Sequence, residues 1–79
     1  MKKIRLNYIR QYDEMRPIAC IKFLKETPKT INYDIIWCTE QFYKDNMRGI
    51  RKLFDYFIII PKKMCFPYVC DYIKSKIFP

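Results

Sequence analysis

A chain of 79 residues lies near the lower limit at which burial offsets conformational entropy, so it has room for a single domain, residues 1–79, around one core. Its apolar share of 51% and aromatic share of 18% exclude extended disorder, while the absence of histidine and the presence of one glycine remove most acid–base and phosphate-loop chemistry. The formal charge of +8, from 16 Lys and Arg against 8 Asp and Glu, points to an anionic partner.

From Lys3 to Tyr12, Ile4, Leu6 and Tyr8 alternate with Lys3, Arg5 and Asn7, the period of a half-buried strand that Arg10 and Tyr12 prolong less cleanly. A polar turn over 13–17 leads into Ile18–Lys25, where Ala19, Ile21 and Phe23 share one face and Cys20, Lys22 and Leu24 the other. The two runs read as an antiparallel hairpin with a longer loop. After the turn over 26–29, Ile31, Tyr33, Ile35 and Trp37 fall on one face of a third strand.

Thr39 is placed to cap a helix, with Phe42 standing where a capping box carries Glu or Gln. Tyr43, Met47, Ile50, Phe54 and Phe57 follow at helical spacing and read as the stripe of one long amphipathic helix. Gly49 inside it costs about 1 kcal/mol relative to Ala, so it either admits a close contact or is simply tolerated. Pro61 ends that helix, and Pro67 opens a second, short one that docks Val69, Tyr72, Ile73 and Ile77 on the core. The expected fold is α+β in the order β-β-β-α-α, a three-stranded antiparallel sheet with helices covering one face. That order resembles the small sheet-and-helix DNA-binding domains of phage-type integrases, which lay the sheet in the major groove. The likeness is one of element order alone and transfers no residue.

Cys20, Cys38, Cys65 and Cys70 lack the two-residue spacing of a zinc site and read as small apolar residues in reduced form, so no metal or other cofactor is expected. The carboxylates are scattered beside cations and offer no acid–base pair, and the expectation is a protein that is not an enzyme and takes no small-molecule substrate. The start of the chain has basic residues without the apolar run of a secretory signal, and Tyr56–Ile60 is far shorter than a membrane span. A cytoplasmic protein that leaves the membrane alone is expected.

The cations carry the positive signal. Residues 1–29 hold eight against three carboxylates, 30–60 are neutral, and 61–79 hold four against one. With Ile4, Leu6 and Tyr8 facing the core, Lys3, Arg5 and Lys22 emerge on the opposite face of the sheet with Lys2 and Lys25 nearby, while Lys44, Arg48, Arg51 and Lys52 line the polar side of the long helix. Such groups pair with phosphates or with an acidic protein surface, the plain alternative being a solvated face. The AT-rich residue usage, heavy in Lys, Ile, Tyr, Phe and Asn, suggests a phage or viral source. The expected function is that of a small protein docking on a host protein and inhibiting or redirecting it, in host takeover or against a host defence. Direct DNA or RNA binding through the basic sheet face and helix stripe is the second reading, and a compact RNA-cleaving toxin using Lys, Arg and Tyr a remote third.

Overall fold

The computed structural model describes residues 2–9, 12–13 and 15–77. The chain forms β1 (Lys3–Asn7), β2 (Ile18–Glu26), β3 (Thr30–Cys38), α1 (Glu40–Asp45), α2 (Met47–Leu53), β4 (Tyr56–Ile59) and α3 (Phe66–Ile77). The α+β class stands, but the sheet is four-stranded and mixed, in the order β1-β3-β2-β4. The expected three-stranded antiparallel sheet, and with it the element order shared with the integrase domains, is thereby replaced.

The tight hairpin joins β2 to β3. Thr27 and Thr30 close it: the Thr27 N–H donates to the Thr30 carbonyl at 2.8 Å, the Thr30 N–H donates to Thr27 Oγ1 at 2.9 Å, and the two hydroxyls lie 2.6 Å apart. A short loop costs little closure entropy, so β2 and β3 pair antiparallel from Ile18↔Cys38 to Glu26↔Ile31. The expected β1–β2 hairpin does not form. Tyr8, at φ 67°, ends β1, and β1 lies parallel on β3 from Lys3↔Thr30 to Asn7↔Asp34. Alternation identifies the strand and its buried face at Ile4 and Leu6, a property of β1 alone, whereas Tyr8, expected on that face, lies past the strand and is exposed. The choice of neighbour is not a property of β1 alone. The expected extension through Tyr12 stops at Asn7, and Arg10 falls outside the described residues.

The sheet is covered on both faces rather than one. Leu6, Ala19, Ile21, Tyr33, Ile35, Trp37, Ile58 and Ile60 pack against Val69, Ile73 and Ile77 of α3. Val69 and Ile73 are fully buried, each worth roughly 2 kcal/mol of transferred apolar surface. On the other face Ile18, Cys20 and Cys38 lie under Ile50 of α2, with Tyr43, Phe54 and Phe57 around them. The helix at Pro67, expected to be short, has 12 residues and is the longest among those described.

The expected long helix is two helices and a strand. Thr39 caps α1 as anticipated, Phe42 N–H donating to its Oγ1 at 3.1 Å. Asn46 then breaks the helical path at φ −120°, its side-chain amide donating to the Phe42 carbonyl that also receives the Asn46 N–H. Past Leu53 the aromatic and β-branched run Tyr56–Ile59 takes up the free edge of β2 as β4. Tyr43, Phe54 and Phe57 of the anticipated stripe still meet, with ring centroids 5.4 Å apart for Tyr43–Phe57 and 6.5 Å for Phe54–Phe57. Phe57 arrives there from a strand.

A Cβ on Gly49 would meet nothing within 4 Å, so of the two readings of this glycine only toleration survives. Gly49→Ala is therefore expected to stabilise the fold by about 1 kcal/mol. The thermal midpoint should rise by roughly 4–8 °C in a calorimetric scan, and a fall would show that α2 needs the smaller residue.

Candidate anion-binding face

Helices α1 and α2 cover only part of their face of the sheet. Along β2, Ile18 to Ile21 are buried and Lys22 to Glu26 are exposed. Ile18 and Cys20 lie under α2, whereas Lys22, on the same face, lies beyond it. The uncovered area is the functional candidate, and strand register sets its layout. One row across the sheet is Arg5–Asn32–Lys25, the next is Asn7–Asp34–Lys22, and Lys3 stands beside Thr30 at the margin.

Lys25 reaches this face through a bulge. The β2–β3 register shifts between Phe23 and Lys25, so that Phe23 opposes Tyr33 on the α3 side and Lys25 opposes Asn32 on the open side. Strict alternation would have sent Lys25 toward α3. Lys3, Arg5, Lys22 and Lys25 all belong to exposed positions, and none has a carboxylate within ion-pair distance among the described residues.

Polar side chains brace the cations from below. Asn32 is 7% exposed and donates to Thr30 Oγ1 at 3.1 Å and to the Lys25 carbonyl at 3.5 Å, tying the bulge to β3. Asn7 donates to the Asp34 carboxylate at 3.1 Å. Asn7, Asn32 and Asp34 were not among the sequence candidates. The even-numbered positions of β3 would have revealed the last two, had β1 been known to lie beside them.

The other sequence candidates separate from this set. Lys2 pairs with Glu26 at 3.2 Å, and Lys44 with Glu40 at 3.2 Å across one turn of α1, exposed contacts worth at most about 1 kcal/mol. Arg48, Arg51 and Lys52 are exposed on α2 without an ion pair among the described residues. They lie on the same side of the sheet as the four cations, on the helix that bounds the open area.

Two adjoining grooves of about 460 and 370 Å³ share Arg16, Ile36 and Trp37. Ile36, 55% exposed, continues the open face toward Phe42, 54% exposed at the start of α1. An apolar rim therefore borders the cations. Trp37 is buried beside it with the Tyr12 ring edge-on at 5.0 Å, and its indole N–H has no hydrogen-bond acceptor among the described residues.

The thiols form no comparable centre. Cys20 and Cys38 Sγ lie 3.6 Å apart in the core, where burial and then the hydrogen bond with Cys38 push the Cys20 thiol up to about 12. Cys65 is exposed and Cys70 half-buried. Among the described residues no three His, Cys, Asp or Glu side chains are placed to hold a metal ion, and no helix is long and apolar enough to cross a membrane. Comparison with protein-family models, curated proteins and solved structures gives no match.

A raised thiol pKa has a definite sign. Between pH 9.0 and about 12 the folded chain keeps a Cys20 proton that the unfolded chain releases, so stability falls as pH rises through that window. Urea midpoints across it should decline less steeply in Cys20→Ala than in the wild type. An equal slope in both would place the alkaline instability elsewhere.

Proposed function

We propose that the chain is a non-enzymatic binding protein that docks on a larger protein of a host cell and inhibits or redirects it. The observation that carries this reading is the open half-face on which Lys3, Arg5, Lys22 and Lys25 stand without an ion pair among the described residues, beside exposed Ile36. Unneutralised cations attract an acidic surface over a distance set by ionic strength, and they align the encounter. Ile36 and Phe42 beside the cations supply the apolar patch that a protein interface excludes from water, with the cations as its polar margin. The Lys-, Ile- and Tyr-rich composition supports a phage or viral source and hence action in the host cytoplasm, against a defence or a nucleic-acid-handling enzyme.

Direct binding of DNA or RNA is the second reading, favoured by one further feature. Arg48, Arg51 and Lys52 of α2 add three exposed cations on the same side of the sheet as the four strand cations, an extended basic surface of the kind that follows a phosphate backbone.

A tagged protein retained on resin and exposed to host lysate, with and without nuclease, separates the two. The docking reading expects one protein held in stoichiometric amount after nuclease. That capture should be lost when Lys3, Arg5, Lys22 and Lys25 are replaced together by Ala and preserved when Lys63 and Lys74 are replaced instead. Both variants alter exposed or half-buried positions and should keep the wild-type circular dichroism. Capture that disappears with nuclease and falls steeply with salt supports nucleic acid as the direct ligand, and capture indifferent to the fourfold replacement removes the face from either reading.

A further inference from the structure

Strand β4 was not anticipated from the sequence, and it leaves one side of the sheet ending in an apolar edge. The direction of its backbone groups follows from the pairing with β2. Ile60 N–H donates to the Pro17 carbonyl at 2.8 Å, and the register continues through Ala19↔Ile58 and Ile21↔Tyr56. In an antiparallel ladder the amides of alternate residues point to opposite sides. The even-numbered residues of β4 therefore turn their N–H and C=O groups toward β2, and Phe57 and Ile59 turn theirs away from the sheet.

Nothing among the described residues receives them. Ile59 is 69% exposed, and grooves of about 390 and 220 Å³ flank the edge on the α3 and α1 sides. The segment from Tyr56 to Ile60 has neither a charge nor a proline, the devices that ordinarily stop an edge strand from pairing.

We propose that this edge pairs with the β4 edge of a second copy of the chain, antiparallel about a two-fold axis at Ile58. The register is selected by the outward-facing residues. With Phe57 opposite Ile59 of the partner copy, both outward residues of each strand exchange N–H···O bonds, four bonds in all. A shift of one step in either direction leaves exchanges one-sided: centring on Phe57 sets Ile59 against Asp55, whose N–H is already given to the Ile21 carbonyl, and centring on Ile59 sets Phe57 against Pro61, which has no N–H to give. The chosen register also buries Ile59 of each copy against Phe57 of the other, on one face of the sheet.

Charge favours a second copy as the occupant despite the overall +8. The segment 30–60, which carries β4 with α1 and α2, is neutral, with Lys44, Arg48, Arg51 and Lys52 against Asp34, Glu40, Asp45 and Asp55, and on the α3 side Lys76 is the cation that lines the groove beside the edge. The same register brings the Asp55 end of each strand to the Pro61–Lys62 end of its partner, so that residues of opposite charge meet at each end of the seam. A two-fold axis of this kind stands perpendicular to the sheet, so the basic half-faces of both copies point the same way and the dimer is bivalent toward an anionic partner. The dimer itself does not depend on what that partner is.

Sedimentation equilibrium on the full chain tests it, alongside Ile59→Lys, which places a charge at an exposed position and leaves the core intact. The expected result is a wild-type dimer at micromolar concentration and a folded Ile59→Lys monomer with unchanged circular dichroism. Hydrogen exchange at the Phe57 and Ile59 amides should slow with concentration in the wild type and not in the variant. A monomeric wild type, or a dimer that survives Ile59→Lys with those two amides still exchanging freely, overturns the proposal.

Discussion

The first four residues of β2 are buried on both sides, and the rest of the molecule is arranged to keep them so. Ile18, Ala19, Cys20 and Ile21 are 3, 0, 2 and 0% exposed. A strand without a solvent face needs apolar cover above and below and a strand at each edge. Helix α3 supplies one cover through Val69 and Ile73, α2 with its flanking aromatics supplies the other, and β3 and β4 occupy the edges. The mixed sheet and the interruption of the anticipated long helix both follow. The residues after Leu53 contribute more by closing the free edge of β2 than by extending a solvent-exposed helix.

The same strand changes character at Lys22. From there to Glu26 every residue is exposed, and α1 and α2, 6 and 7 residues long, do not extend over it. The open half-face is what remains when a short chain has spent its helices on the buried half. Its cations are concentrated by geometry as well as by composition. Parallel pairing sets Arg5 in line with Asn32, and the bulge at Leu24 brings Lys25 onto the other end of that row. Asn32 holds the bulge through the Lys25 carbonyl, so a buried amide fixes the position of an exposed charge.

Much of this was legible in the sequence wherever one element decides it. The alternation placed Ile4 and Leu6 of β1 and Ile31, Tyr33, Ile35 and Trp37 of β3 toward the core, though not the exposed Tyr8; the Thr39 cap was placed correctly, and Lys3, Arg5 and Lys22 were assigned to a common face. What required two elements at once was not legible. β1 carries no mark of preferring the far edge of β3 to β2, and the bulge is a property of the β2–β3 pair, following directly on the Phe23↔Tyr33 pairing, their rings edge-on at 5.8 Å. The stripe from Tyr43 to Phe57 satisfied helical spacing while its last member entered the same cluster from a strand. Periodicity records which residues are buried together and cannot tell a continuous helix from a broken one that folds back.

The central claim is that the uncovered half of the sheet meets the partner, and amine-reactive footprinting of the captured complex against the free protein addresses it most directly. Lys3, Lys22 and Lys25 should lose reactivity in the complex while Lys63 and Lys74 keep theirs. Protection confined to Lys63 and Lys74, or equal reactivity throughout, would contradict the assignment of this face.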